Sequence, residues 1–191
     1  MQLKRNILAI LCLFLLVNFG CAAGTNSVRP ADWATPVAGV PVKNCYKVTD
    51  DIYRSAQPEA ETADSLKKMG IKSILNLRHY HNDSEGFTKS GIILCDCSMN
   101  AGSASVKELT EALKIIQNAP KPILIHCWQG SDRTGFVIAG YRMVIQGWSA
   151  EKAIDELRNG GYGYHESEFP NIMKTLSNMD VQAVRKAVLA S

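Results

Sequence analysis

The sequence predicts a single α/β domain with a mostly parallel central sheet flanked by helices. Short apolar strand-like runs alternate with longer amphipathic stretches along most of the chain, the pattern of strand-helix-strand crossovers. A length of 191 residues suits one domain on the usual prior of about 100 to 200 residues. A hydrophobic share of 46% supplies the core.

Taken in order, YKVTDDIYRSA (residues 46–56) is β-like and Glu59 to Met69 is helical. SILNLR and IILCDC are two further apolar strands. Ser105 and Glu108 have the spacing of a capping box, which opens a helix through Leu109, Leu113 and Ile116 to Asn118, stopped by Pro120 and Pro122. The strand PILIHC follows, then a glycine-containing loop and an apolar helix over about Thr134 to Gln146. Ser149 suits an N-cap for a helix ending at Gly160-Gly161, and two short helices start near Asn171 and Val181. Residues 24–44 hold three prolines and little periodicity, so residues 21–45 are expected as a tether or irregular lead-in to a domain over 46–191.

The first twenty residues stand apart. Lys4 and Arg5 precede an unbroken apolar run from Ile7 to Val17, followed by Gly20, Cys21, Ala22 and Ala23. This charged, apolar, small-residue order is that of a secretory signal, and eleven apolar residues fall short of the roughly 20 a spanning helix needs. Two cleavage readings stand open: a lipoprotein junction at Gly20-Cys21, with a lipid on Cys21 as the membrane attachment, or ordinary cleavage after Cys21-Ala22-Ala23. Either reading predicts an exported protein, expected in the periplasm. With Lys4 and Arg5 set aside, 19 of the 21 basic residues face 18 acidic ones. That balance gives no basic footprint for nucleic acid.

Export implies an oxidising compartment. Cys45, Cys95, Cys97 and Cys127 remain in the body of the chain, so a bridge from Cys45 to Cys95 or Cys97 is one expectation, with the pairing open. Metal binding by Cys95-Asp96-Cys97 is weaker, because nothing at zinc spacing completes it. No metal or cofactor is expected.

The chemistry sits in HCWQGSDRTG, residues 126–135, between the PILIHC strand and the next helix. In parallel sheets ligands bind beyond the carboxyl ends of strands, which is the address of this loop. A thiolate is a strong nucleophile, and Cys127 near a helix N-terminus with cations around it is placed to form one. The same turn directs successive backbone N-H groups of Trp128, Gln129, Gly130, Ser131, Asp132 and Arg133 into one anion cradle. Gly130 allows the tight curl. Arg133 offers a planar fork for two phosphoryl oxygens, a geometry lysine lacks.

His126-Cys127-x5-Arg133-Thr134 resembles the signature of the protein tyrosine and dual-specificity phosphatase superfamily. YRSAQP (53–58) with GIKSILNLR (70–78) further resembles its small atypical dual-specificity branch. A chance match to the core signature is on the order of one in a thousand from average residue usage. The likeness covers roughly residues 46–175. It implies a cysteine-phosphatase fold, attack of Cys127 on phosphorus to give a phosphocysteine, and Arg133 binding phosphate and the transition state. It also implies a Thr134 hydrogen bond to the departing sulfur, and a His126 that holds the loop and tunes the thiolate. The substrates implied are phosphorylated proteins, above all phosphotyrosine, with inositol phosphates or pyrophosphates as the alternative. Two other classes remain: a rhodanese-type sulfurtransferase, which also starts an anion-cradling loop with cysteine, and a non-catalytic phosphoanion-binding module. His126 and Arg133-Thr134 argue against the first.

The general acid is less plain. Relatives supply an Asp from the loop one strand-helix unit upstream, yet no carboxylate lies between Asp96 and Glu108, and Asn100 stands nearer the expected position. Asp96 is one candidate. Asp132 is favoured on reach: it sits inside the loop, in a GxDRT sequence that resembles the myotubularin phosphoinositide phosphatases, where repulsion from phosphate favours its protonated form. Its structural alternative is pairing with a cation or capping the helix. Arg54 and Arg78 are candidates to extend the anion site, and Tyr162, Tyr164 and His165 to edge the pocket, although surface or packing roles are commoner for such residues.

Overall fold

The structure, a computed structural model, describes residues 29–190. The N-terminal segment with its expected signal and Cys21 lies outside them. Six strands are present: β1 (Thr35–Pro36), β2 (Tyr46–Lys47), β3 (Ile52–Ser55), β4 (Ser73–Asn76), β5 (Ile93–Asp96) and β6 (Ile123–His126). They form one sheet in the order β1-β2-β3-β6-β4-β5. β3, β6, β4 and β5 are mutually parallel, and β1 and β2 add an antiparallel edge. The chain is thus a single α/β domain with a mostly parallel sheet.

Among the described residues, seven α-helices flank it: α1 (Ala63–Lys68), α2 (Ser84–Phe87), α3 (Val106–Asn118), α4 (Asp132–Val144), α5 (Ala150–Asn159), α6 (Pro170–Asn178) and α7 (Val181–Leu189). Strand alternation sorts the core. Leu75, Ile123 and Ile125 face a large cluster with α3, α4, α6 and α7, whereas Ile74 and Leu124 face a smaller one with Leu66, Phe87 and Cys45. β6 is buried along its whole length, as expected of a strand covered on both faces. The helix after the loop, α4, is buried on nearly every side, which explains the mostly apolar sequence of its middle turns, Gly135 to Tyr141. Ser105 and Glu108 close the capping box at α3: the Glu108 carboxylate accepts from Ser105 N-H at 2.9 Å, and the Ser105 hydroxyl accepts from Glu108 N-H at 3.3 Å.

The structured domain begins before Tyr46. Trp33, Ala34, Val42 and Cys45 are buried, β1 pairs with β2, and Ala34 N-H donates to the buried Glu156 carboxylate at 2.7 Å. The lead-in is irregular but packed, because its prolines break periodicity without removing its apolar side chains. The disulfide expectation is also corrected. Cys45, Cys95, Cys97 and Cys127 are free thiols, and the sheet separates Cys45 from Cys95 and Cys97, which lie on the other core face.

Candidate active site

β6 is the centre of the parallel strands, so its carboxyl end is flanked on both sides: His126 stands opposite Ser55 of β3 and Asn76 of β4. The loop from Cys127 to Ser131 leaves this edge and turns directly into α4. Two features shape the turn. Gly130 has φ +74°, and a Cβ there would lie 2.5 Å from the carbonyl carbon and oxygen of Ser55. Only glycine fits both the left-handed backbone and the close approach. Gln57 N-H donates to the Trp128 carbonyl at 3.1 Å, and Asn44 Nδ2 donates to the carbonyls of Gln129 and Tyr162, each at 2.9 Å.

The loop amides are left for a ligand. Among the described residues, none of the N-H groups of Trp128 to Arg133 has a protein acceptor. Ser131, at the N-cap of α4, does not cap it with its side chain but donates from Oγ to the Tyr162 carbonyl at 2.7 Å. An uncapped helix N-terminus at the end of such a turn is an anion site. Cys127 is 2% exposed and sits at its floor. Arg133 is half-buried and makes no ion pair with a described carboxylate. Thr134 is buried with its Oγ1 unpartnered.

His126 is buried and fixed by a residue that sequence reasoning missed: its Nε2 lies 2.7 Å from Asp83 Oδ2. Asp83 also accepts from Gln57 Nε2 at 2.8 Å, and Gln57 Oε1 accepts from Arg78 Nη1 at 2.9 Å. The Arg78 guanidinium lies 4.2 Å from the centre of the Trp128 ring, which is exposed at the rim. Burial alone would raise the Asp83 carboxyl, but the His126 hydrogen bond and charge, together with the Gln57 hydrogen bond and the His81 charge, hold it below the usual carboxylate value. Desolvation is the main influence lowering Arg78, with the nearby Arg133 charge second. The two cations therefore share the mouth of the loop. Asp83 carried no sequence signal, since it lies 43 residues from His126 in an irregular connection.

The two acid candidates separate. Asp96 is exposed at the end of β5, two strands from His126 and so about 10 Å away at the usual strand spacing, and its Oδ1 accepts from Asn76 Nδ2 at 3.1 Å. Asn100 caps a turn over Ala101–Ser103 through Gly102 N-H at 2.9 Å. Among the described residues, neither side chain is hydrogen-bonded to the loop. Asp132 is in the loop but engaged: Oδ1 accepts from His165 N-H at 2.9 Å, and Oδ2 lies 3.0 Å from His165 Nδ1. That hydrogen bond pushes His165 above the ordinary histidine value. The residue that edges the loop is thus His165. Tyr162 is buried against the loop, and the Tyr164 hydroxyl donates to the Phe169 carbonyl at 2.7 Å. Arg54 lies beneath the loop, 1% exposed, with Nη2 donating to the Gly130 carbonyl at 2.7 Å.

Residues 39–183 match the tyrosine phosphatase family. The chain belongs to that family. It is 29% identical over 188 residues to the dual specificity protein phosphatase TpbA of Pseudomonas aeruginosa, covering 97% of this chain and 84% of that protein. The inositol diphosphatase SIW14 of Saccharomyces cerevisiae is 36% identical over 129 residues, 62% of this chain and 46% of its own length. Among solved structures, P. aeruginosa TpbA in complex with phosphotyrosine superposes with TM-score 0.76 at 26% identity, over 86% of this chain and all of that one. The catalytic core of Siw14 gives 0.67 at 27% identity, over 79% and 93%.

Proposed function

We propose that the chain hydrolyses phosphotyrosine and related phosphomonoesters in two steps through a phosphocysteine. The observation that carries this is the loop itself: a buried cysteine, a set of amides without protein acceptors and a half-buried arginine converge at the carboxyl end of the central strand. Cys127 attacks phosphorus in line and forms the S-P bond as the ester oxygen departs. The amides of Trp128 to Arg133 and the Arg133 fork hold the three outer oxygens as charge spreads over them. Water then attacks the phosphocysteine, phosphate leaves, and Thr134 Oγ1 donates to the departing sulfur. His126, locked by Asp83, keeps the Cys127 backbone in register.

The leaving oxygen needs a proton, and Asp132 with His165 supplies it as a pair. The imidazole carries the proton and the carboxylate orients and retains it. A second substrate class, inositol phosphates or diphosphates, is supported by Arg78, which adds a cation beside Arg133 for a further phosphate. Turnover of phosphotyrosine peptides and inositol diphosphates by the mature chain and by Cys127→Ser tests the reading. The expected result is activity in the first and none in the second; a non-catalytic phosphoanion-binding module would turn over neither and bind equally in both. We further propose export to the periplasm on the strength of the N-terminal pattern, with lipid on Cys21 or a soluble N-terminus distinguished by the mass of the mature protein.

A further inference from the structure

Two buried side-chain polar atoms stand without partners among the described residues, Arg54 Nε and Thr134 Oγ1. Both belong to residues that pack against the Cys127 loop. The Thr134 hydroxyl has a use in the sulfur's departure. Arg54 has none yet. Its guanidinium is wedged between the Gly130 carbonyl, at 2.7 Å, and the face of the Tyr162 ring, 3.6 Å from its centre. A Cβ on Gly135 of α4 would be 3.8 Å from its Nη2.

A buried cation is costly unless an anion balances it, and no described carboxylate forms an ion pair with Arg54. Burial pushes the Arg54 guanidinium below its ordinary value, and Glu156 is the carboxylate whose charge opposes that, but Glu156 is committed elsewhere. It accepts from Arg142 at 2.8 and 2.9 Å, from Ala34 N-H at 2.7 Å and from the Tyr162 hydroxyl at 3.0 Å. Loop-side alternatives are also committed. Asp132 is paired with His165, and Asp83 with His126.

We infer that Arg54 is a positioning residue whose counter-anion is the Cys127 thiolate. It fixes the loop through the Gly130 carbonyl and places a positive charge beneath the Cys127 loop. This inference rests on the reading of Cys127 as the nucleophile. The other cations near the sulfur do different work: Arg78 is spread over the Trp128 ring and linked to Gln57, and Arg133 is half-buried at the phosphoryl side. Neither is fully enclosed, so solvent and substrate screen them. Arg54 is enclosed, at 1% exposure; burial disfavours its charge, and Cys127 is among the groups whose negative charge opposes that.

The test is alkylation of Cys127 by iodoacetamide, which reads the thiolate without turnover. Cys45 and Cys97, pushed up to about 11 by burial, and Cys95, also raised, are silent at low pH. Cys127→Ser supplies the blank. Arg54→Gln keeps an amide for the Gly130 carbonyl and removes the charge; its alkylation near pH 6 is expected to fall about tenfold and to match the parent near pH 9. Arg54→Lys keeps the charge and is expected to stay close to the parent at both. A folded Arg54→Gln with the parent's profile overturns the inference, as does an Arg54→Lys that loses as much as Arg54→Gln. If Arg54→Gln does not fold, Arg54→Lys decides: parent-like alkylation near pH 6 supports the charge, and a tenfold loss overturns it. Failure of both Arg54 variants to differ from the parent leaves the phosphatase reading intact, whereas a parent protein that alkylates only at alkaline pH removes the nucleophile first.

Discussion

The pair Asp132 and His165 changes what each residue can do alone. Asp132 accepts both the backbone N-H and the ring Nδ1 of His165, and the imidazole retains its proton to higher pH than an ordinary histidine. In steady-state kinetics on a phenolic ester of poor leaving ability, Asp132→Asn and His165→Asn are each expected to lose about 10²- to 10⁴-fold in kcat, the usual worth of a general acid. An activated leaving group should hide most of that loss, and unchanged rates on the poor one would exclude the pair. A histidine raised in the folded state stabilises the fold fully below its unfolded value near 6.5 and loses that contribution as pH rises through the raised value. The melting-temperature gap between parent and Asp132→Asn should therefore be wider near pH 5.5 than near pH 9, and the alkaline limb of kcat should move to lower pH in the variant. Asp83 offers a third residue test. Asp83→Ala leaves the buried His126 ring nitrogen unpaired, a loss of about 1–3 kcal/mol measurable by chemical denaturation.

The loop between β6 and α4 is the element on which the chemistry depends, and its shape rests on Gly130. Gly130→Ala demands both a left-handed backbone and a Cβ 2.5 Å from Ser55 carbonyl atoms. The expected result is a stability loss of at least about 1–3 kcal/mol with activity reduced beyond what that loss explains; parent-like melting and turnover would show that the loop tolerates a different path. This element was legible in the sequence because its functional demands are local. Cys127, Gly130, Arg133 and Thr134 lie within eight residues between a clear strand and a clear helix. The capping box of α3 and the serine cap of α5, where Ser149 Oγ accepts from Lys152 N-H at 3.2 Å, were equally local. Asp83, Gln57 and the role of His165 were not. Each reaches the loop from a different connection, and no spacing rule links residues 57, 83, 126 and 165 before the chain is folded. The same limit hid the short α2 and the two-residue β1, which depend on tertiary pairing rather than on periodicity.

At the scale of the molecule, the site is braced by a buried ion pair on its far side. Arg142 of α4 and Glu156 of α5 are joined at 2.8 and 2.9 Å, and Glu156 also holds Ala34 of the lead-in and Tyr162 beneath the loop. The prolines of the lead-in suggest a tether or an irregular lead-in from sequence, and in the structure Trp33, Ala34, Val42 and Cys45 of this segment are buried. Glu156→Ala strands a buried cation and is expected to cost about 3–5 kcal/mol in denaturant melts, while a loss below about 1 kcal/mol would contradict the brace. All of this scaffolding serves one sulfur, and one measurement addresses it directly. The parent protein is mixed with a phosphotyrosine peptide, quenched in acid within a turnover and digested for mass spectrometry. The expected result is one phosphoryl group on the peptide containing Cys127, absent from Cys127→Ser. Steady turnover with no phosphoryl adduct on Cys127, or with undiminished rate in Cys127→Ser, would contradict it.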